Sequence, residues 1–116
     1  MKKLFVLILG LLALAGTVRA QFFFTTNNGV ITITQYTGPD GSVIIPSTTN
    51  VWPVAIIGAS AFKNLSAITN VTIPNSITNI GANAFYWCTA LTNVSIGNEV
   101  IDIGASAFYN CYRLLG

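Results

Sequence analysis

One hexad recurs at a fixed interval: Ile57-Gly58-Ala59-Ser60-Ala61-Phe62, then Ile80-Gly81-Ala82-Asn83-Ala84-Phe85, then Ile103-Gly104-Ala105-Ser106-Ala107-Phe108, each twenty-three positions after the one before. A period of this length dictates a stack of coils, because one unit cannot bury its own apolar edge and must lean on the next. The register extends past the hexad. Leu65, Cys88 and Cys111 align, as do Ile68, Leu91 and Leu114, then Val71 with Val94 and Ile73 with Ile96. Placing like on like turns these positions into columns of a shared core, with Phe62, Phe85 and Phe108 forming one of them.

Within a unit, Ile68-x-x-Val71-x-Ile73 and Leu91-x-x-Val94-x-Ile96 carry the L-x-x-L-x-L spacing of leucine-rich repeats, whose last two apolar residues point inward from a short strand. Thr72 and Ser95, between them, then face outward. Pro74 or Gly97 ends the strand, since proline lacks a ladder donor and glycine permits a turn. A second extended stretch, Ile77 to Ile80 and Val100 to Ile103, leads to Gly81 or Gly104. The alanine-rich stretch that follows, to Phe85 and Phe108, is expected to make one or two helical turns.

The run from Ile80 through Gly81, Ala84, Phe85, Cys88 and Leu91 to Val94 and Ile96 resembles the BspA-type leucine-rich repeat of bacterial surface and secreted proteins. The resemblance lies in the spacing and in the Phe, Cys and Leu positions, and covers Val43 to Gly116. It implies an α/β fold, a right-handed leucine-rich-repeat solenoid with a parallel sheet. It also implies adhesion or protein-protein interaction outside the cytoplasm, without catalytic residues or a cofactor. Two departures stand out. Val43-Ile44-Ile45-Pro46 aligns with Val71-Thr72-Ile73-Pro74, but five extra residues fall within Ser47 to Trp52, which should bulge as a loop. At the other end Gly116 precedes the strand of the third full unit, so the sequence as given stops in mid-coil.

Ahead of the repeats, Phe22 to Thr26 and Val30 to Tyr36 are aromatic or β-branched and are separated by Asn27-Asn28-Gly29, a strong hairpin signal. Gly38-Pro39-Asp40-Gly41 turns the chain into Val43-Ile44-Ile45. This segment is expected to be an antiparallel β cap over the first coil. The start reads as an export signal: Lys2 and Lys3, an apolar run from Leu4 to Gly16, and Val18-Arg19-Ala20 before a cut at Gln21. The expected organisation is therefore a signal peptide over 1–20, a cap over 21–45 that runs into the irregular first unit, and a repeat domain over 46–116 with its last unit incomplete. The product is expected to be secreted or held at a cell surface.

Charge narrows the function further. Three of the five basic residues, Lys2, Lys3 and Arg19, belong to the leader, which leaves Lys63 and Arg113 against Asp40, Glu99 and Asp102, a side-chain charge of −1. Nucleic-acid binding needs clustered cations and is excluded. Past the leader no apolar run approaches the roughly 20 residues of a membrane-spanning helix. With no histidine in the chain, His-based triads, acid/base pairs and His metal sites are all excluded.

Four groups of residues remain as candidates. Cys88 and Cys111 occupy equivalent positions of neighbouring coils, about 5 Å apart by strand spacing, and suit either buried thiols or a disulfide. Lys63, Tyr86 and Tyr109 align, as do Asn64, Trp87 and Asn110, so a ridge of Lys63, Tyr86, Trp87 and Tyr109 is a candidate binding surface for a protein or for sugar rings. Thr69, Asn70, Thr72, Thr92, Asn93 and Ser95 form a neutral hydrogen-bonding strand face. Glu99 and Asp102 are the only close carboxylates, too few to build a Ca²⁺ site. The readings weighed are a protein-binding or adhesive module, a carbohydrate-binding surface module, and a structural fragment that self-associates through the edge at Leu91 to Ile96.

Overall fold

The computed structural model describes residues 5–9, 21–49 and 51–115. The positively charged start of the expected leader and its Val18-Arg19-Ala20 signal lie outside the described residues. The strands are β1 (Phe5–Leu9), β2 (Phe22–Asn27), β3 (Val30–Tyr36), β4 (Gly41–Ile44), β5 (Thr48–Thr49), β6 (Trp52–Ile57), β7 (Ile68–Ile73), β8 (Asn79–Ile80), β9 (Asn93–Ile96) and β10 (Asp102–Ile103).

Two sheets run along the stack. One has the order β1-β2-β3-β6-β8-β10, with β5 attached to β6, and the other the order β4-β7-β9. Within the coils the pairing is parallel: Val43, Val71 and Val94 are in register across one sheet, and Ile57 pairs with Ile80 across the other. The alternation of the strands accounts for this placement. Val71 and Ile73 of β7 are buried while Thr72 between them is exposed, so the period-two pattern puts this face of β7 into the core.

The expected cap is present. β2 and β3 pair antiparallel with Asn27 opposite Val30, and the turn between them places Asn28 at φ 54° and Gly29 at φ 77°. Two successive positive φ angles match the right-handed twist of the flanking strands, which is why Asn-Gly serves here. A Cβ at Gly29 would also stand 3.1 Å from the Trp52 ring, which would have to shift by a few tenths of an ångström to admit it. β3 then pairs parallel with β6, Ile31 opposite Val54, so the cap passes its outer edge directly to the first coil. β1 lies antiparallel on the far side of β2.

Two expectations change in detail. The insertion at Ser47 to Trp52 carries antiparallel strand pairing in place of the expected loop, with Thr48 opposite Pro53 and Thr49 opposite Trp52. Its tip exposes Val51, and Thr49 Oγ1 donates to the Trp52 carbonyl at 3.4 Å. The second correction concerns the alanine-rich stretch, which forms consecutive tight turns, and the described residues contain no helix. Coil-to-coil hydrogen bonding explains this. The N–H groups of Asn83, Phe85 and Trp87 donate to Ala105, Ala107 and Tyr109 of the next coil, while those of Ala84, Tyr86 and Cys88 close i→i+3 turns on Gly81, Asn83 and Phe85. Alternate donors are thereby withdrawn from the i→i−4 ladder that an α-helix needs.

The core is the expected set of columns with an aromatic spine through it. Phe62 and Phe85 stack at 4.8 Å, and Phe85 and Phe108 at 5.1 Å. The cap extends the spine, because Tyr36 stacks on Phe62 at 5.3 Å and Phe22 packs on Tyr36 at 5.0 Å. One period before Phe62 falls on Pro39, not Tyr36, so the repeat alone does not reveal this member of the spine. The Tyr36 hydroxyl donates to the Pro39 carbonyl at 2.8 Å, which gives the polar end of a buried ring a partner.

Candidate functional site

The coil's turn segment fixes what the surface can present. Ser60, Asn83 and Ser106 adopt φ near 60° (61°, 58°, 59°), and so does a second column four residues on, Asn64 (63°), Trp87 (60°) and Asn110 (61°). Asparagine tolerates this left-handed region because its short amide bonds locally, whereas a bulky side chain there is an outlier. Trp87 stands in an asparagine position. Its indole is 40% exposed, so the strained backbone is not offset by full burial of the ring.

Around Trp87 the structure assembles the aromatic ridge. Tyr86 and Tyr109 stack at 5.3 Å with an interplanar angle of 24°, and Lys63 Nζ lies 5.3 Å from the Tyr86 centroid. All four ridge residues named from the sequence are thus on one surface. Tyr112 joins them, its ring 6.0 Å from Trp87 in an edge-to-face arrangement at 87°. One period after Trp87 falls on Asn110, so column alignment misses Tyr112; its aromatic character beside an exposed cation, Arg113, was the available signal. In the last described coil Tyr109 is 53% exposed and Tyr112 68% exposed.

Cys88 and Cys111 are free thiols. Each serves the backbone: Cys88 Sγ donates to the Phe62 carbonyl at 3.0 Å and Cys111 Sγ to the Phe85 carbonyl at 3.1 Å. Burial pushes the Cys88 thiol up to about 12, against a lowering from a backbone hydrogen bond at Leu65 and a further rise from Cys111. Cys111, less buried, is also raised by desolvation. A thiol held protonated is a poor nucleophile, so neither has the character of a reactive cysteine.

The strand face forms two outward rungs by register, Ser42-Asn70-Asn93 and Ile44-Thr72-Ser95. Part of its hydrogen-bonding capacity is already used. Asn70 Nδ2 donates to Ser42 Oγ at 3.2 Å, and Thr92 Oγ1 to the Thr69 carbonyl of the preceding coil at 3.1 Å. Glu99 and Asp102 are exposed, and among the described residues no three His, Cys, Asp or Glu side chains converge on a possible metal position.

Comparison with known proteins agrees with this architecture. The family described as BspA type leucine rich repeat region matches residues 42–115, in six copies. A crystal structure of a leucine-rich repeat protein from T. pallidum superposes with a TM-score of 0.75 at 29% identity over 88% of this chain and 47% of that one. A leucine rich cell surface protein from Faecalibacterium prausnitzii A2-165 gives 0.74 at 38% identity over 80% of this chain and 27% of that one. A leucine-rich repeat protein from Bacteroides capillosus gives 0.74 at 32% identity, over 80% of this chain and 73% of that one. The chain spans about half the length of the T. pallidum protein and about a quarter of the F. prausnitzii one. No curated protein matches the sequence.

Proposed function

The chain belongs to the BspA-type leucine-rich-repeat family, and from that premise we propose that it is an exported, non-enzymatic module that binds a protein partner through its aromatic ridge. The observation that carries the proposal is Trp87. A tryptophan replaces asparagine at a left-handed position, and its ring is left partly open to solvent beside Tyr86, Tyr109 and Tyr112. Backbone strain of this kind is held by the surrounding structure and clusters at functional sites. Large, stiff aromatic surfaces are also what protein interfaces use as anchors.

Export is supported by the sequence of the first twenty residues and by the description of the F. prausnitzii protein as a cell surface protein. Non-enzymatic character is supported by the family and by the absence of histidine from the chain.

The test is binding of the purified protein to an array of extracellular proteins and glycans, run beside Trp87→Asn, Tyr109→Ser and the strand-face variant Ser95→Lys. The proposal expects protein ligands that Trp87→Asn and Tyr109→Ser lose and Ser95→Lys keeps. Ligands lost only with Ser95→Lys would move the site to the strand face, and glycan ligands alone would make this a carbohydrate-binding module.

A further inference from the structure

We infer that the ridge accepts an acidic segment of its protein partner, with Lys63 and Arg113 placed to meet carboxylates. This rests on the ridge being the binding surface and adds the chemistry of what it binds.

Charge is sparse on the molecule, and one of its cations sits on the ridge. Beyond the expected leader the chain has two basic side chains, Lys63 on the ridge and Arg113 next in sequence to Tyr112. Lys63 Nζ stands 5.3 Å over Tyr86, at one end of the Tyr86-Tyr109 stack. Arg113 is exposed and follows Tyr112, whose ring touches Trp87 from the other side. Of the three acidic residues, Glu99 lies in the turn before β10 and Asp102 on β10 itself, while Asp40 lies in the turn before β4, in the first coil, at the position that Arg113 holds in the last. A net side-chain charge of −1 therefore includes a cation seated on the ridge, while two of the three acids, Glu99 and Asp102, sit on the β10 arm of the last coil.

Ring orientation at Tyr86 points the same way. Tyr86 lies between Lys63 of the preceding coil and Tyr109 of the following one, so both its faces are covered. A sugar ring needs an open aromatic face to lie on. What a stacked tyrosine shows to solvent is its edge and its hydroxyl, and the edge is the positive part of the aromatic quadrupole. Ring edges, phenolic donors, an ammonium and a guanidinium all favour the same chemical group, a carboxylate. A segment with Asp or Glu beside an apolar or aromatic residue satisfies both the charge and the apolar bodies of Trp87 and Tyr112.

The experiment uses four probes on the purified protein: a random glutamate-tyrosine copolymer, polygalacturonate, polylysine and dextran, with binding read by interferometry. The expected result is retention of the copolymer, weakening with added salt as exposed charge pairs are screened. Lys63→Glu and Arg113→Glu are each expected to weaken it by about 1.5- to 5-fold, the range of exposed ion pairs. Trp87→Asn should remove it. No retention of the copolymer, equal retention of polylysine, stronger retention of polygalacturonate, or indifference to both charge reversals would each overturn the inference. The two readings fail separately. If Trp87→Asn and Tyr109→Ser lose the copolymer but the charge reversals do not, the acidic specificity falls and the ridge stands. If the copolymer binds and neither ridge variant changes it, the ridge itself is wrong.

Discussion

Cys88 Sγ lies 3.0 Å from the carbonyl oxygen of Phe62 in the preceding coil, and Cys111 makes the same bond to Phe85 at 3.1 Å. The thiol column is thus a line of weak donors that serves buried backbone acceptors between coils. Leu65, at the head of the column, fills the volume without a donor.

Cys88→Ala is expected to destabilise the fold by about 1–3 kcal/mol, the range for leaving a buried acceptor without its partner, with a small cavity adding to it. Urea unfolding followed by circular dichroism measures this. Cys111→Ala, at a half-buried position, should cost less. Equal effects at the two positions would show that the carbonyl bond common to both, and not burial, sets the cost.

The same column predicts a loss of stability in alkali. In the unfolded chain Cys88 ionises near 9, whereas burial in the fold holds it up to about 12. A group raised on folding keeps the folded state favoured below its unfolded pKa and withdraws that contribution as pH rises towards the folded value. Stability should therefore fall between about pH 9 and 12. Cys111 and Tyr36 are raised as well and add to the slope. Denaturant midpoints taken from about pH 8 to 11 should fall more steeply for the wild type than for Cys88→Ala.

How much of this was legible follows from what the period fixes. Positions that repeat with the period, such as Phe62, Phe85 and Phe108 or Val71 and Val94, are determined by stacking, and they stand where the alignment puts them. The Asn-Gly hairpin was legible too, since its turn chemistry is local. Features that break the period were hidden. Tyr36 enters the spine from the cap where the period would place Pro39, and Tyr112 meets Trp87 from beyond the periodic Asn110, because the chain reaches those places by other paths. The helix expected from alanine content failed for a different reason. Propensity describes an isolated segment, and here the neighbouring coil takes every second N–H from Asn83 to Trp87.

Coil spacing also makes a prediction at Gly81. A Cβ built there would lie 2.6 Å from the Ala59 nitrogen and 2.8 Å from the Gly58 carbonyl carbon. Both obstacles are backbone, so no side chain can swing aside. Gly81→Ala should force the two coils apart and cost at least the roughly 1–3 kcal/mol typical of overpacking. At Gly41 nothing lies within 4 Å of an added Cβ, although φ is +91°. Gly41→Ala should then cost only its backbone strain. Thermal melts of the pair separate crowding from strain, and a Gly81→Ala melt no lower than that of Gly41→Ala would contradict the close approach.

Trp87 allows stability and binding to be driven in opposite directions. Its left-handed backbone costs an ordinary residue about 1–2 kcal/mol, and asparagine much less, as Asn64 and Asn110 at the equivalent positions attest. Trp87→Asn removes that strain and gives up the contacts with Tyr86 and Tyr112, worth about 0.5–1.5 kcal/mol each for a well-placed aromatic pair and less where the rings are half exposed. Trp87→Ala gives up the same contacts and keeps the strain. The asparagine variant should therefore be more stable than the alanine variant by about 1 kcal/mol, a shift of roughly 4–8 °C in Tm for a domain of this size. It should match or exceed the wild type while losing the ligand. A core residue replaced by asparagine would instead lose stability and binding together, so the pair of melts decides whether Trp87 serves the fold or the surface.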